Sequence, residues 1–119
     1  MNYESCQEIE LAIAKLYKWR QNLIVPNVSW GLLEHEADML IMSKSLILTE
    51  IEIKITKQDL IADKYKHHKH KSKIIKYLYF AIPRKLENSI EYIPENAGIY
   101  IVETNGKVKK KEIQLSTVN

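Results

Sequence analysis

Hydrophobic and polar positions alternate most regularly between Leu46 and Ile55. Ile51, Ile53 and Ile55 fall on one side, and Glu50, Glu52 and Lys54 on the other. This is the two-residue period of a strand. The period then changes. Thr56-Lys57-Gln58-Asp59 is a capping-box-like start with Asp in the place usually taken by Glu. Leu60, Ile61, Lys64 and Tyr65 follow at helical spacing and predict a helix from Lys57 to about Lys71. A charged strand therefore runs directly into a capped helix.

The rest of the chain can be read in the same way. Ile9, Ala12, Ile13, Leu16, Trp19 and Leu23 form one helical stripe, predicting a first helix over residues 4–22. Leu23–Val25 continues as an extended segment. Pro26 has no N–H to give to a ladder, so it marks a strand start or edge. Val28–Leu33 and Glu36–Met42 read as short strands, with Gly31 a bulge candidate. The Ser43-Lys44-Ser45 turn leads into the strand Leu46–Ile55. Connections this short imply an antiparallel meander. Ile74–Ile82 is mostly apolar and rich in β-branched and aromatic residues, which predicts a buried strand stopped by Pro83. Because it follows a helix, it can pair in parallel with the third strand. Arg84–Ile93 reads as a short helix. Ile99–Glu103 and Val108–Leu115 flank Asn105-Gly106, a hairpin signal. The expected fold class is α/β: an αβββαβ core with a mixed sheet and a C-terminal β-hairpin, in one domain spanning residues 1–119.

Composition narrows the setting. Hydrophobic residues make up 45% and charged residues 28% of the 119 residues, as in soluble globular chains. No apolar run is long enough to span a bilayer. The acidic, polar N-terminus does not read as a signal peptide. Cys6 is the one cysteine, so no intrachain disulfide can form and a reducing cytoplasm is expected. The net charge of +3 says little, but its distribution says more. From Lys64 to Lys76 there are six lysines, three histidines and no acid, a block suited to a polyanion or to a solvated helix end.

If the second and third strands pair across the Ser43–Ser45 turn, their even-numbered side chains share a face. Glu36 and Asp38 then meet Glu50 and Glu52. Gathered carboxylates repel one another and call for a cation. Mg²⁺ takes one or two carboxylates together with water and phosphate. Lys54 would sit about 7 Å along the strand from Glu52, where it can offset charge on a phosphate. The plainer alternative is a solvated strand face with an ordinary Glu52–Lys54 ion pair.

The order of a helix glutamate, Asp38 on the second strand, Glu52-Ile53-Lys54 on the third, then a helix and a buried strand, resembles the PD-(D/E)XK nuclease superfamily and its restriction-endonuclease-like core. The segment EIEIKITKQDLIADKYKHH, with YFAIP and the later IPENAGIYIV, looks like the MmcB-like DNA-repair proteins. The resemblance implies a Mg²⁺- or Mn²⁺-dependent deoxyribonuclease working in DNA repair or processing. Asp38 and Glu52 would be metal ligands and Lys54 the catalytic lysine. Glu8 would be a further metal contact, with Glu10 as its substitute. Ala37 replaces the proline of the motif, and Glu50 and Glu36 add carboxylates to the same face.

Lys64, Lys66, His67, His68, Lys69, Lys71 and Lys73 are the expected DNA contacts. A histidine zinc site matches no standard spacing. Asp59 and Asp63 read as a cap and a surface partner, and Trp30, Tyr77 and Tyr79 as core. Two alternatives stand beside the nuclease: a Holliday-junction-type resolvase acting as a homodimer, and a nucleic-acid-binding module of the same fold that does not cut.

Overall fold

The computed structural model describes residues 4–28, 37–64 and 74–111. A six-stranded mixed sheet organises them. Its strands are β1 (Leu23–Val28), β2 (Ala37–Met42), β3 (Leu48–Ile53), β4 (Ile75–Pro83), β5 (Gly98–Val102) and β6 (Val108–Lys111), and they lie side by side in chain order. β1, β2 and β3 form an antiparallel meander, but its first strand is Leu23–Val28, the segment around Pro26, and not the expected Val28–Leu33, of which residues 29–33 lie outside the described residues. β3, β4 and β5 run parallel, and β6 returns antiparallel as the C-terminal hairpin. The α/β class and the αβββαβ order followed by a hairpin are thus present.

Among the described residues, two helices and a 3-10 segment cover the sheet. α1 spans Cys6–Leu16 and packs Ile9, Ala12 and Ile13 against Met39, Ile41, Ile51, Ile53 and Ala81. α2 spans Lys57–Lys64, and a 3-10 helix covers Arg84–Tyr92. These two lie on the opposite face, where Leu60, Leu86 and Ile90 meet Leu78, Phe80, Ile82, Ile99 and Ile101. The alternation read in β3 is therefore an alternation between two buried faces. Ile51 and Ile53 face α1, and Glu50 and Glu52 face α2.

α1 ends at Leu16, short of the expected residue 22. Tyr17 caps it, and Lys18 turns into the left-handed region at φ 51°. The continuing apolar spacing of Trp19 and Leu23 is not helical: Trp19 lies in an exposed turn and Leu23 opens β1. Pro26 sits within β1 opposite Met39, which the sheet tolerates because β1 is an edge strand. The Thr56 cap forms as expected, its Oγ1 accepting the Asp59 N–H at 3.1 Å. Gly106 has φ 90° in the hairpin turn, where Asn105 Oδ1 accepts the Lys107 N–H. The expectations on Trp30, Gly31, Glu36, Tyr65 and residues 112–115 fall outside the described residues. Among the described residues, no helix is long and apolar enough to cross a membrane.

Candidate functional site

Strand pairing builds the site. The β2–β3 ladder runs from Met42↔Leu48 to Met39↔Ile51, so the next pair outward is Asp38 opposite Glu52. There the backbone ladder gives way to side chains. Asp38 Oδ2 accepts the Ile53 N–H at 2.7 Å, and Glu52 Oε2 accepts the Asp38 N–H at 3.4 Å. Each carboxylate is thus tied to the other's strand. A carboxylate that accepts a backbone N–H is held in one orientation, which a ligand or a base needs. The end of β3 is anchored on its other side, where the Lys54 N–H donates to Ala81 C=O at 3.1 Å.

Lys54 completes the group. Its Nζ lies 3.2 Å from Asp63 Oδ1 and 3.7 Å from Glu52 Oε1. Burial draws the Lys54 pKa down. The Asp63, Glu52 and Asp38 carboxylates more than reverse this and leave it above the ordinary lysine value. The ammonium is therefore charged throughout the neutral range. Glu52 is 4% exposed, Asp63 2% and Glu50 0%, whereas Asp38 is half-buried and reaches the surface.

Asp63 corrects the sequence reading. It is no surface partner: it lies with Leu60 on the buried side of α2 and clamps Lys54. Its signal was its position three residues after Leu60, on the same helix face. Asp59, by contrast, is exposed in the first turn, as a capping segment should be.

The helix glutamate needs a second correction. Glu8 is the third residue of a capping box. Its Oε1 accepts from Ser5 Oγ at 2.9 Å and from the Ser5 N–H at 3.2 Å. The Ser5 hydroxyl bond holds the Glu8 pKa below its usual value. The α1 residue within electrostatic reach of the site is Cys6. Desolvation raises the Cys6 thiol pKa, Asp38 and Asp59 raise it further, Lys54 opposes them, and Glu10 adds to the rise. The first turn of α1 thus stands within electrostatic reach of Asp38 and Lys54.

Two carboxylates on adjacent strands, one of them reaching solvent, are hard oxygen donors suited to Mg²⁺ when water fills the remaining positions. Among the described residues, no group of three or more His, Cys, Asp and Glu side chains is disposed to hold a metal. Water would complete the coordination of an ion held by these two carboxylates. Of the expected DNA contacts, Lys64 is exposed at the end of α2, with its Nζ 5.6 Å from the Tyr92 ring centre. Lys66, His67, His68, Lys69, Lys71 and Lys73 lie outside the described residues.

No family model and no curated protein matches this chain. Among solved structures it is similar to SPO1766, a protein of unknown function from Silicibacter pomeroyi, with a TM-score of 0.62 and 15% identity. The match covers 83% of this chain and 64% of the other. At that identity the likeness is one of fold.

Proposed function

We propose that this chain is a Mg²⁺-dependent nuclease acting on DNA. The observation that carries the reading is the junction of Asp38, Glu52 and Lys54 where β2 and β3 part, with Lys54 Nζ 3.7 Å from Glu52 Oε1. Asp38 and Glu52 would hold the ion. When bound, Mg²⁺ supplies Lewis acidity toward a phosphodiester oxygen and lowers the pKa of water in the site. Lys54 contributes fixed positive charge beside the phosphoryl oxygens, where negative charge grows during hydrolysis. Asp63 holds that ammonium in place from α2, and the Ile53 N–H keeps the Asp38 carboxylate oriented. A role in DNA repair or processing, Mn²⁺ as a substitute ion and a cytoplasmic setting belong to the same proposal.

The reading is tested with purified protein and a labelled DNA substrate, with and without Mg²⁺. Cleavage by the wild type and its loss in Asp38→Asn, Glu52→Gln and Lys54→Ala are expected. Absence of Mg²⁺- or Mn²⁺-dependent cleavage in the wild type, together with DNA binding that Lys54→Ala leaves unchanged, would overturn it. One observation favours a second reading, a binding module that does not cut. Lys54 lies nearer Asp63 than Glu52, as in a structural ion pair. In that case Asp63→Asn would lower stability, and no ion would change any readout on DNA.

A further inference from the structure

We propose that the tyrosine ridge at the start of β4 is a stacking site for single-stranded DNA, separate from the carboxylate site. The choice of DNA rests on the nuclease reading above; the ridge itself does not. The expectation that Tyr77 belongs to the core is not met: it is 46% exposed. Tyr77 and Tyr79 form the wall shared by two cavities of about 310 and 340 Å³. The first is lined also by Tyr17, Asn22, Ser43 and Thr49, and the second by Lys76, Lys110, Asn96 and Gly98. Both volumes lie at the small-ligand end of the pocket range of ~300–1,000 Å³, suited to one planar base at a time.

Tyr79 buttresses the ridge. Tyr79 stacks on Tyr100 with centroids 4.5 Å apart and planes 18° apart. It fits there because residue 98 is glycine, since a Cβ at that position would stand 2.2 Å from Tyr79 Cε1. A ring fixed in this way loses little freedom on binding. Each ridge ring also carries an ammonium, with Lys76 Nζ 5.7 Å from the Tyr77 centroid and Lys110 Nζ 5.1 Å from that of Tyr79.

Charge selects the partner. Lys76, Lys110 and Lys111 line the second cavity, with Glu95 as its acid, and Lys111 also pairs with Glu87 at 3.6 Å. A second copy of this chain would bring lysines against lysines, whereas a phosphate backbone complements them. Aromatic faces interleaved with lysines are the chemistry of single-strand recognition, and a duplex hides its base faces in its own stack.

The ridge is not part of the carboxylate site. Tyr77 pairs with Thr49 and Phe80 with Glu52, so the two lie three residues apart, about 10 Å along the strand. They also point to opposite faces of the sheet. The ridge therefore holds substrate without touching the reacting bond.

The test is fluorescence anisotropy of a labelled oligothymidine of about twelve nucleotides, within the site sizes of single-strand-binding folds. Tyr77→Ala should weaken binding about tenfold and Tyr77→Phe should restore it, since stacking needs the ring and not the hydroxyl. Lys76→Ala with Lys110→Ala should lower the slope of log K against log salt by about 1.4, or 0.7 for each phosphate no longer neutralised. If the wild type cleaves DNA, Tyr77→Ala should raise KM on single-stranded ends and leave kcat unchanged. Unchanged melting temperatures would show that these variants fold. The inference is overturned if the oligonucleotide does not bind, if Tyr77→Ala binds like the wild type, or if duplex DNA or anionic vesicles compete equally well. The two readings fail separately. Tyr77-dependent binding without any cleavage sinks the nuclease and leaves the ridge; Lys54-dependent cleavage with Tyr77→Ala unchanged does the reverse.

Discussion

The two faces of the sheet are built from the same strands but treat polar atoms in opposite ways. Under α1 the polar groups are neutral and satisfy one another. The Tyr17 and Tyr100 hydroxyls lie 2.7 Å apart, and their rings meet edge to face. Under α2 and the 3-10 helix, the apolar floor of Phe80, Ile82 and Ile101 also carries Glu50, Glu52 and Asp63, the buried acids among the described residues. Taking a carboxylate out of water costs several kcal/mol unless cations and donors compensate it. Hydrophobic residues at those positions would hold the fold as well. The α1 face therefore serves stability, while the α2 face gives up stability to hold charge at one place.

Substitutions on each face test this contrast. The largest effect is expected from Glu52→Gln, which should reduce Mg²⁺-dependent cleavage at least about a hundredfold. Its amide oxygen can still accept the Asp38 N–H, so circular dichroism should show an intact fold. An unchanged cleavage rate would dissolve the functional half of the contrast. Next comes Ile13→Ala on the α1 face, which should cost about 3 kcal/mol in denaturant unfolding and leave activity per folded molecule as it was.

Asp63→Asn takes the charged partner from Lys54. It should cost about 2 kcal/mol, less than the ~3–5 kcal/mol of a fully buried pair because water reaches Lys54. It should also lower kcat by releasing the ammonium. The Lys54 pKa is raised, so the stabilisation from this pair is complete below the ordinary lysine value of about 10.4 and is lost only as pH rises beyond it. The smallest change is Tyr17→Phe, at about 1 kcal/mol for one hydroxyl bond. Burial, then the Tyr100 hydroxyl, pushes the Tyr17 pKa up. The unfolded chain therefore ionises first, and wild-type stability should fall above about pH 10. Melting curves on either side of that pH should show a shallower fall in the phenylalanine variant.

The fold was legible where local chemistry and tertiary context agree. The period-2 run at Glu50–Ile53, the Thr56 cap, the stop at Pro83 and the Asn105-Gly106 turn each act within a few residues. That Asp38 and Glu52 share a face followed from strand parity; their register did not, because the turn runs on to Ile47 and the ladder sets Met42 against Leu48 and Leu40 against Glu50. What escaped depends on what lies opposite. Leu16, Trp19 and Leu23 keep a helical spacing that the backbone abandons at Lys18, with no glycine or proline to mark the break. Asp63 was read as solvated because an aspartate one turn after another resembles a surface pair, and nothing local announces Lys54 beneath it. Glu8 lies at the edge of the apolar stripe, yet the Ser5-Cys6-Gln7-Glu8 spacing turns it into the third residue of a capping box. Tyr77 looked like core because its strand is buried over most of its length, yet its first residues run past the cover of both helices.

Strand order equal to chain order has a consequence for how the molecule comes together. Every sheet neighbour is also the next strand along the chain, so the sheet can grow by adding strands in order. Asp38, Glu52, Lys54 and Asp63 all fall within the contiguous stretch 37–64, one hairpin and the helix that follows it. The charged cluster is therefore a local assembly, and the later strands add the apolar floor beneath it.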